Sequence, residues 1–256
     1  MAAFAPGAPC WVDLASSDVA ASTRFYGRLF GWEAQPSRDP AAGGYTLLFH
    51  RGQEVAGAGP LRREAQQPSW TVYVGVADAD AIARRADESG GSTLTAPTDV
   101  LDQGRTSVLA DPGGAVFGLW QPKAFAGATL VGEPGSFCWS ELATRDLEGA
   151  KLFYGKLFGW VAEPRQLGTS SYTEWKLEGR AVAGMIQMNE QWPEEMPAYW
   201  MVSFAVDDCD SAATKADELG GTVMVPPTDS PVGPFAVIRD PHGAAFTIVR
   251  LRASSG

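Results

Sequence analysis

The amino-acid sequence contains the same motifs twice, about 128 residues apart. The pair Cys10-Trp11 returns as Cys138-Trp139. The segment Phe25–Trp32 returns as Phe153–Trp160 with a single change, arginine to lysine. Three shorter motifs return at nearly the same spacing, which leaves room only for very small insertions between the halves. The chain is therefore an internal duplication, and any site built from these motifs is expected in two versions.

Each half divides again into two modules with the same predicted order of strand, helix and three strands. In the first module, Cys10 to Leu14 predicts a strand, and Ser16 to Asp18 predict the beginning of a helix that ends at Gly31. The second module starts near Trp70 with an alternating strand. The corresponding modules of the other half lie near 136–189 and 198–252. We predict an N-terminal domain at 1–121, a linker rich in Gly, Ala and Pro at 122–135, and a C-terminal domain at 136–256.

Composition restricts the classes of function. The formal net charge of −10 disfavours nucleic-acid binding, which needs clustered basic residues. No stretch approaches the roughly 20 apolar residues that span a membrane, and the first residues lack the pattern of a signal peptide. Three cysteines without metal-type spacing predict free thiols rather than a disulfide. These features predict a cytoplasmic protein with no nucleic-acid or membrane partner.

The helix-end motif and the Asp-Pro turns before the last strands, at Asp111-Pro112 and Asp240-Pro241, resemble those of a known superfamily. The whole chain is similar to the vicinal oxygen chelate proteins, which include glyoxalase I, bleomycin resistance proteins and extradiol dioxygenases. The resemblance implies an α+β fold of four βαβββ modules, paired into two tandem glyoxalase-like domains. In that fold, curved mixed sheets form cup-like clefts. Because one chain carries both halves, we expect a monomer or a homodimer.

Catalytic members of that superfamily hold a divalent metal at four strand positions. In this sequence the matching residues are, in the two halves, Trp11 and Trp139, Gly57 and Gly184, Thr71 and Met201, and Gly118 and Thr247. None of these is the imidazole or carboxylate that such metals prefer. We therefore predict that neither half has a metal cofactor, and that neither glyoxalase I nor dioxygenase chemistry of the usual kind takes place.

Two carboxylates are the candidate catalytic groups. Asp13 and Glu141 follow Trp11 and Trp139 by two residues, which places each acid on the same strand face as its tryptophan. Each acid can bind a polar or basic group or serve as a base in the cleft, or it can lie at a solvated strand end or cap the following helix. His50 is open between a pocket base and a solvated strand end, and His242 is expected in a surface turn.

Strand parity also predicts a cleft lining of aromatic, small and polar residues, as organic ligands require. The predicted ligand-binding residues are Trp11, Tyr73, Gly118, Trp120, Trp139, Met201, Ser203 and Thr247. The leading hypothesis is a metal-independent protein that sequesters an aromatic or amphipathic compound. Two alternatives remain: a metal-free or atypical glyoxalase-like or hydroxylase-like enzyme with Asp13 or Glu141 as base, and an interaction protein whose clefts are filled by side chains.

Overall fold

The computed structural model describes residues 4–62, 66–167, 170–190 and 192–252, with residues 166, 167, 170 and 171 described by their backbone only. The helices are α1 (Val19–Phe30), α2 (Ala79–Asp87), α3 (Leu147–Phe158) and α4 (Cys209–Glu218). The strands of the first half are β1 (Pro9–Ser16), β2 (Glu33–Pro36), β3 (Thr46–His50), β4 (Gln53–Pro60), β5 (Ser69–Gly75), β6 (Ser92–Val100), β7 (Gly104–Ala110) and β8 (Val116–Pro122). Those of the second half are β9 (Phe137–Thr144), β10 (Val161–Leu167), β11 (Ser170–Leu177), β12 (Arg180–Gln187), β13 (Tyr199–Ala205), β14 (Thr222–Thr228), β15 (Phe235–Arg239) and β16 (Ala245–Val249).

The strands form two eight-stranded mixed sheets, one from each half of the sequence. Their orders are β2-β3-β4-β1-β5-β8-β7-β6 and β10-β11-β12-β9-β13-β16-β15-β14. The identical order confirms the duplication, the α+β class and the predicted succession of strand, helix and three strands in each module. None of the helices in the described part of the chain has both the length and the hydropathy needed to cross a bilayer.

By contact density the chain divides into two compact units, each of which combines one module from each half. The first unit comprises Met1–Trp11, Thr71–Gly127 and Ser140–Met201. The second unit comprises Val12–Trp70, Ala128–Trp139 and Val202–Gly256. This grouping by contacts differs from the predicted domain bounds, which follow the sequence halves. Those bounds stay a prediction.

Each of the helices α1 to α4 begins at an aspartate whose side chain accepts a backbone hydrogen bond. These N-caps are Asp18, Asp78, Asp146 and Asp208. The acceptor satisfies an amide that has no partner inside the helix. Helices α1 and α3 end at Gly31 and Gly159, both in the left-handed conformation that glycine adopts without strain. Gly31 thus ends its helix, as predicted, and its repeat Gly159 does the same.

The repeated tyrosine and aspartate motifs meet in the core of the first unit. The Tyr154 hydroxyl donates to Asp111 Oδ2 at 3.0 Å and accepts from Trp200 Nε1 at 2.9 Å. Asp111 Oδ1 accepts from the amides of Gly113 and Ala115 at 2.9 and 2.8 Å, which fixes the turn before β8. Burial raises the pKa of the Asp111 carboxyl, while these hydrogen bonds oppose the rise.

The second unit contains the same arrangement built from the other copies of the motifs. The Tyr26 hydroxyl donates to Asp240 Oδ2 at 2.9 Å and accepts from Trp70 Nε1 at 2.9 Å. Asp240 Oδ1 accepts from the amides of His242 and Ala244. In both units the motifs that mark the repeat therefore serve folding, because they tie an α-helix to a turn distant in sequence.

Candidate functional site

Strand burial alternates so that one sheet face is core and the other is partly open. On β1, Val12 and Leu14 are 0% and 1% exposed, whereas Asp13 between them is half-buried. On β9, Ser140 and Leu142 are fully buried and Glu141 is half-buried. The two predicted acids therefore lie on the open face, as parity required. Neither caps a helix, since Asp18 and Asp146 do so.

In the second unit, Asp13 lies beside a tyrosine and a glycine. Asp13 is in register with Gly57 on the parallel neighbour β4, and the Tyr45 hydroxyl donates to Asp13 Oδ2 at 3.5 Å. The Tyr45 ring covers Gly57 so closely that a Cβ atom added there would collide with the hydroxyl. Because glycine leaves this space, the tyrosine can reach the carboxylate across the strand.

The first unit repeats this combination with the longer acid. Glu141 on β9 is in register with Gly184 on β12, and the Tyr172 hydroxyl donates a hydrogen bond to its carboxylate. Burial raises the pKa of Glu141 from 4.5 to about 6, and the Tyr172 hydrogen bond opposes part of that rise. A carboxylate of this kind changes its protonation near neutral pH, which suits it to proton transfer or to pH-sensitive binding.

The glutamate should cost stability while it is ionised. Between pH 4.5 and 6 the native state holds the Glu141 proton that the unfolded chain has released, so stability falls as pH rises through this window. We predict that Glu141→Gln raises the free energy of unfolding at pH 8 by about 1 to 2 kcal/mol, given 1.36 kcal/mol per pKa unit. At pH 4 the two proteins should unfold alike. Urea titrations at both pH values measure this, and a less stable variant at pH 8 contradicts it.

The residues beyond the tyrosine distinguish the two sites. In the first unit, Lys176 pairs with Glu174 at 2.6 Å, and Arg165 pairs with the same carboxylate at 3.0 Å. Hydrogen bonds from Lys176 and Arg165 hold the pKa of the Glu174 carboxyl below its usual range. The equivalent positions in the second unit are Leu47 and Phe49, both half-buried. One carboxylate–tyrosine pair thus has a polar surround and the other an apolar one.

Four of the predicted ligand-binding residues lie in the first unit as a close-packed aromatic group. Tyr73 pairs with Gly118 across β5 and β8, and an added Cβ at Gly118 would collide with the tyrosine ring. Trp11 meets the Phe125 ring edge-to-face at 4.8 Å, and Trp120 Nε1 donates to the Phe125 carbonyl at 2.8 Å. Trp11, Tyr73 and Trp120 are 4%, 8% and 8% exposed, so each offers little surface to a ligand.

The remaining predicted ligand-binding residues are more open. In the second unit, Ser203 is in register with Thr247 on parallel β16, and Trp139 is half-buried on β9. Met201, in the first unit, is half-buried on β13. Ser203 is 7% exposed and presents little surface. Trp139 is therefore the predicted tryptophan with the greater access to a ligand.

The residues present do not fit the metal of the superfamily. The glycines at two ligand positions of the first half, Gly57 and Gly118, are each covered by a tyrosine ring. In the second half, Gly184 is in register with Glu141, and Thr247 with Ser203. Each of these pairs of neighbouring positions offers at most one carboxylate and no imidazole. In the part of the chain that the structure describes, no three His, Cys, Asp or Glu side chains come together as a possible metal site.

The histidines and cysteines have structural surroundings. His50 ends β3 with Nδ1 3.4 Å from the Gly31 carbonyl, at the end of α1. His242 lies in the predicted turn, 3.4 Å from the Ser17 hydroxyl. Cys10, Cys138 and Cys209 are free thiols, as predicted. Burial raises the pKa of Cys10 and of Cys138 to about 12, so neither is a ready nucleophile.

Sequence reasoning missed the two tyrosines that complete the carboxylate sites. Tyr45-Thr46 returns as Tyr172-Thr173 at the spacing of the other repeats, and this signal was available in the sequence. What the sequence could not show is that each tyrosine reaches back to the acid of a strand more than 30 residues earlier in the chain, and that Tyr45 does so over Gly57.

Comparison with known proteins gives concordant results. The model of a glyoxalase-like domain matches residues 11–120 and again 138–249. The anthracycline biosynthesis protein DauV of Streptomyces sp. strain C5 is 41% identical and covers 98% of this chain and 96% of its own length. The putative glyoxylase CFP32 of Mycobacterium bovis is 37% identical, with 96% of each chain covered. The 2,3-dioxygenase LapB from Pseudomonas sp. KL28 has a similar fold, with a TM-score of 0.65 at 14% identity over 97% of this chain and 94% of its own.

Proposed function

Because the chain belongs to the glyoxalase-like family, we propose that it keeps the family's ligand-binding sheet faces and uses them without a metal. The protein binds an aromatic or amphipathic small molecule and sequesters it. The observation that carries this proposal is a carboxylate that is hydrogen-bonded to a tyrosine and in register with a glycine, once in each half. Aromatic rings with a few polar groups suit an organic ligand.

The names of the relatives suggest the class of ligand. DauV and the similar DnrV of Streptomyces peucetius are called anthracycline biosynthesis proteins and match the chain over 98% of its length. Anthracyclines are planar, polycyclic and polar at their edges. Tryptophan faces stack on such rings, and a half-buried tryptophan such as Trp139 provides one. We therefore take a planar polycyclic compound of this kind as the ligand.

The Tyr45 ring gives the ligand a way in. It is half-buried and fills the space over Gly57, where it forms a long, 3.5 Å hydrogen bond to Asp13. Rotation of a partly exposed side chain is fast and inexpensive compared with the opening of a packed core. A planar ligand can displace this ring and take over both its place on the glycine and its hydrogen bond to the acid.

Anthracycline fluorescence provides the test. We expect a saturable change on titration with the protein, and a rise in melting temperature of about 5 to 10 °C at a ligand concentration a hundredfold above Kd. Lysozyme serves as a control for non-specific association. No saturable change and no shift in melting temperature would reject the binding function.

A second candidate function is favoured by Glu141 alone. Its pKa of about 6 and its hydrogen bond from Tyr172 are properties of a general base. If the protein is an enzyme of this kind, the bound compound changes in mass or isomeric form at a rate that Glu141→Gln abolishes. Chromatography and mass spectrometry of the recovered ligand separate the two functions, because a sequestering protein returns it unchanged.

A further inference from the structure

We infer that the Glu141–Tyr172 pair is a recognition site for a protonated amine on a planar aromatic ligand. The inference rests on the proposed function and specifies which ligands the first unit prefers. Its elements are the position of Glu141 on the open face, the hydrogen bond from Tyr172, and the charges around them.

The ion pairs in this part of the sheet are made by carboxylates other than Glu141. On β10 and β11, Glu163 and Glu174 are matched by Arg165 and Lys176, which lie within 2.6 to 3.9 Å of them. Glu141 is bound by a tyrosine hydroxyl, which carries no formal charge of its own to offset it. A carboxylate that is already partly desolvated gains from a cation more than a solvated one does. The electrostatic demand of the site is therefore for one positive charge.

Among the described residues, the strands beside β9 do not supply that charge at the level of Glu141. The parallel neighbour β12 presents Gly184 in register, which has no side chain. On the next strand, β11, Glu174 lies opposite Gly184 and forms an ion pair with Lys176. The ionisable group on β13 is Tyr199, which lies 3.4 Å from Trp192 Nε1. Arg180 of β12 lies four residues from Gly184, opposite Leu177, and Lys176 and Arg165 are both paired with other carboxylates. An external ammonium group is therefore the fitting partner.

The other half of the chain is a built-in comparison. Leu47 and Phe49 occupy the positions of Glu174 and Lys176, and the same fold results. Partly buried ion pairs give little net stability relative to apolar residues of similar size. Folding alone therefore does not require the charged pair at 174 and 176. A role in ligand selection explains why the two halves differ at these two positions and share the acid, the tyrosine and the glycine.

Proton linkage gives the site a characteristic pH dependence. Glu141 must be ionised to bind a cation, and burial places its pKa at about 6. Affinity for a ligand that stays protonated should be constant above pH 7 and fall about tenfold per pH unit well below pH 6.

Two tricyclic probes of nearly equal size separate charge from aromatic binding. At pH 7.5, 9-aminoacridine is a cation and acridine is neutral. We expect the protein to bind 9-aminoacridine about tenfold more tightly than acridine, as a charge-assisted hydrogen bond provides. Glu141→Gln should remove this preference and the pH dependence. Asp13→Asn, the matched variant in the apolar site, should leave the ratio of the two affinities intact.

The outcomes distinguish the inference from the function beneath it. Equal affinities for the two probes overturn the cation site and leave aromatic binding intact, whereas no binding of either probe overturns both. Loss of the preference in Asp13→Asn instead of Glu141→Gln also overturns the inference, since it moves the cation to the other half. Urea unfolding of each variant confirms that a lost preference comes from the site and not from a lost fold.

Discussion

Asp111→Ala is expected to lower the free energy of unfolding by about 3 to 5 kcal/mol, the usual cost of breaking a buried, hydrogen-bonded charged group. Asp111 is 6% exposed and accepts from Tyr154 and from two backbone amides of its turn. Alanine leaves all three donors without that acceptor, and each unsatisfied buried donor costs about 1 to 3 kcal/mol. Urea denaturation followed by tryptophan fluorescence gives the value.

The duplication supplies matched variants for this prediction. Asp240→Ala removes the same set of bonds in the second unit and should cost a similar amount. Tyr154→Phe removes only the hydroxyl and should cost about 1 to 3 kcal/mol, since the hydrogen bonds to Asp111 and from Trp200 are lost and no cavity is made. A loss of less than about 1 kcal/mol in Asp111→Ala would contradict a structural role for the Asp-Pro turn, because three unsatisfied donors must cost more than that.

Replacement of Trp11 should mainly lower stability, whereas replacement of Trp139 should mainly weaken ligand binding. Trp11 is 4% exposed and packs edge-to-face on Phe125, so Trp11→Ala should lower the free energy of unfolding by about 3 to 5 kcal/mol. Trp139 is half-buried, so Trp139→Ala should cost less stability and should mainly weaken the binding of aromatic ligands. Chemical denaturation measures the first effect and titration with an anthracycline the second.

Sequence alone predicted both as ligand-binding residues, and the structure separates them by burial. Trp139→Phe, which keeps an aromatic face, should restore most of the affinity lost in Trp139→Ala. If Trp11→Ala unfolds at the same urea concentration as the native chain, then Trp11 contributes less to the core than its burial indicates. If Trp139→Ala binds the ligand with unchanged affinity, the open face of β9 is not where the ligand lies.

The fold was predictable because its signals are local or repeated. Strand alternation, aspartate caps and helix-ending glycines are set by residues within a few positions of one another. Two boundaries depend on more than local signals. Trp32 lies in the core, and β2 starts after it at Glu33. Strand β6 continues to Val100 through Pro97, which an edge strand tolerates with shifts in register.

The candidate site was predictable only in part, because its chemistry depends on contacts between distant strands. The parity of β1 and β9 was enough to place Asp13 and Glu141 on the open face. The raised pKa of Glu141 could not be predicted, since it depends on burial by neighbours that the sequence does not identify. The same holds for the tyrosine rings on Gly57 and Gly118, which explain why these positions lack the carboxylates of metal-binding relatives.

The measurement that tests the central claim most directly is the Kd of an anthracycline for two preparations of the same protein. One is dialysed against a chelator, and the other is then supplied with manganese, nickel, zinc or iron, with metal content verified by elemental mass spectrometry. Metal-independent binding predicts equal Kd values and no stoichiometric retention of any metal after gel filtration. Binding that appears only in a metal-loaded preparation, with one metal ion retained per half, would contradict it.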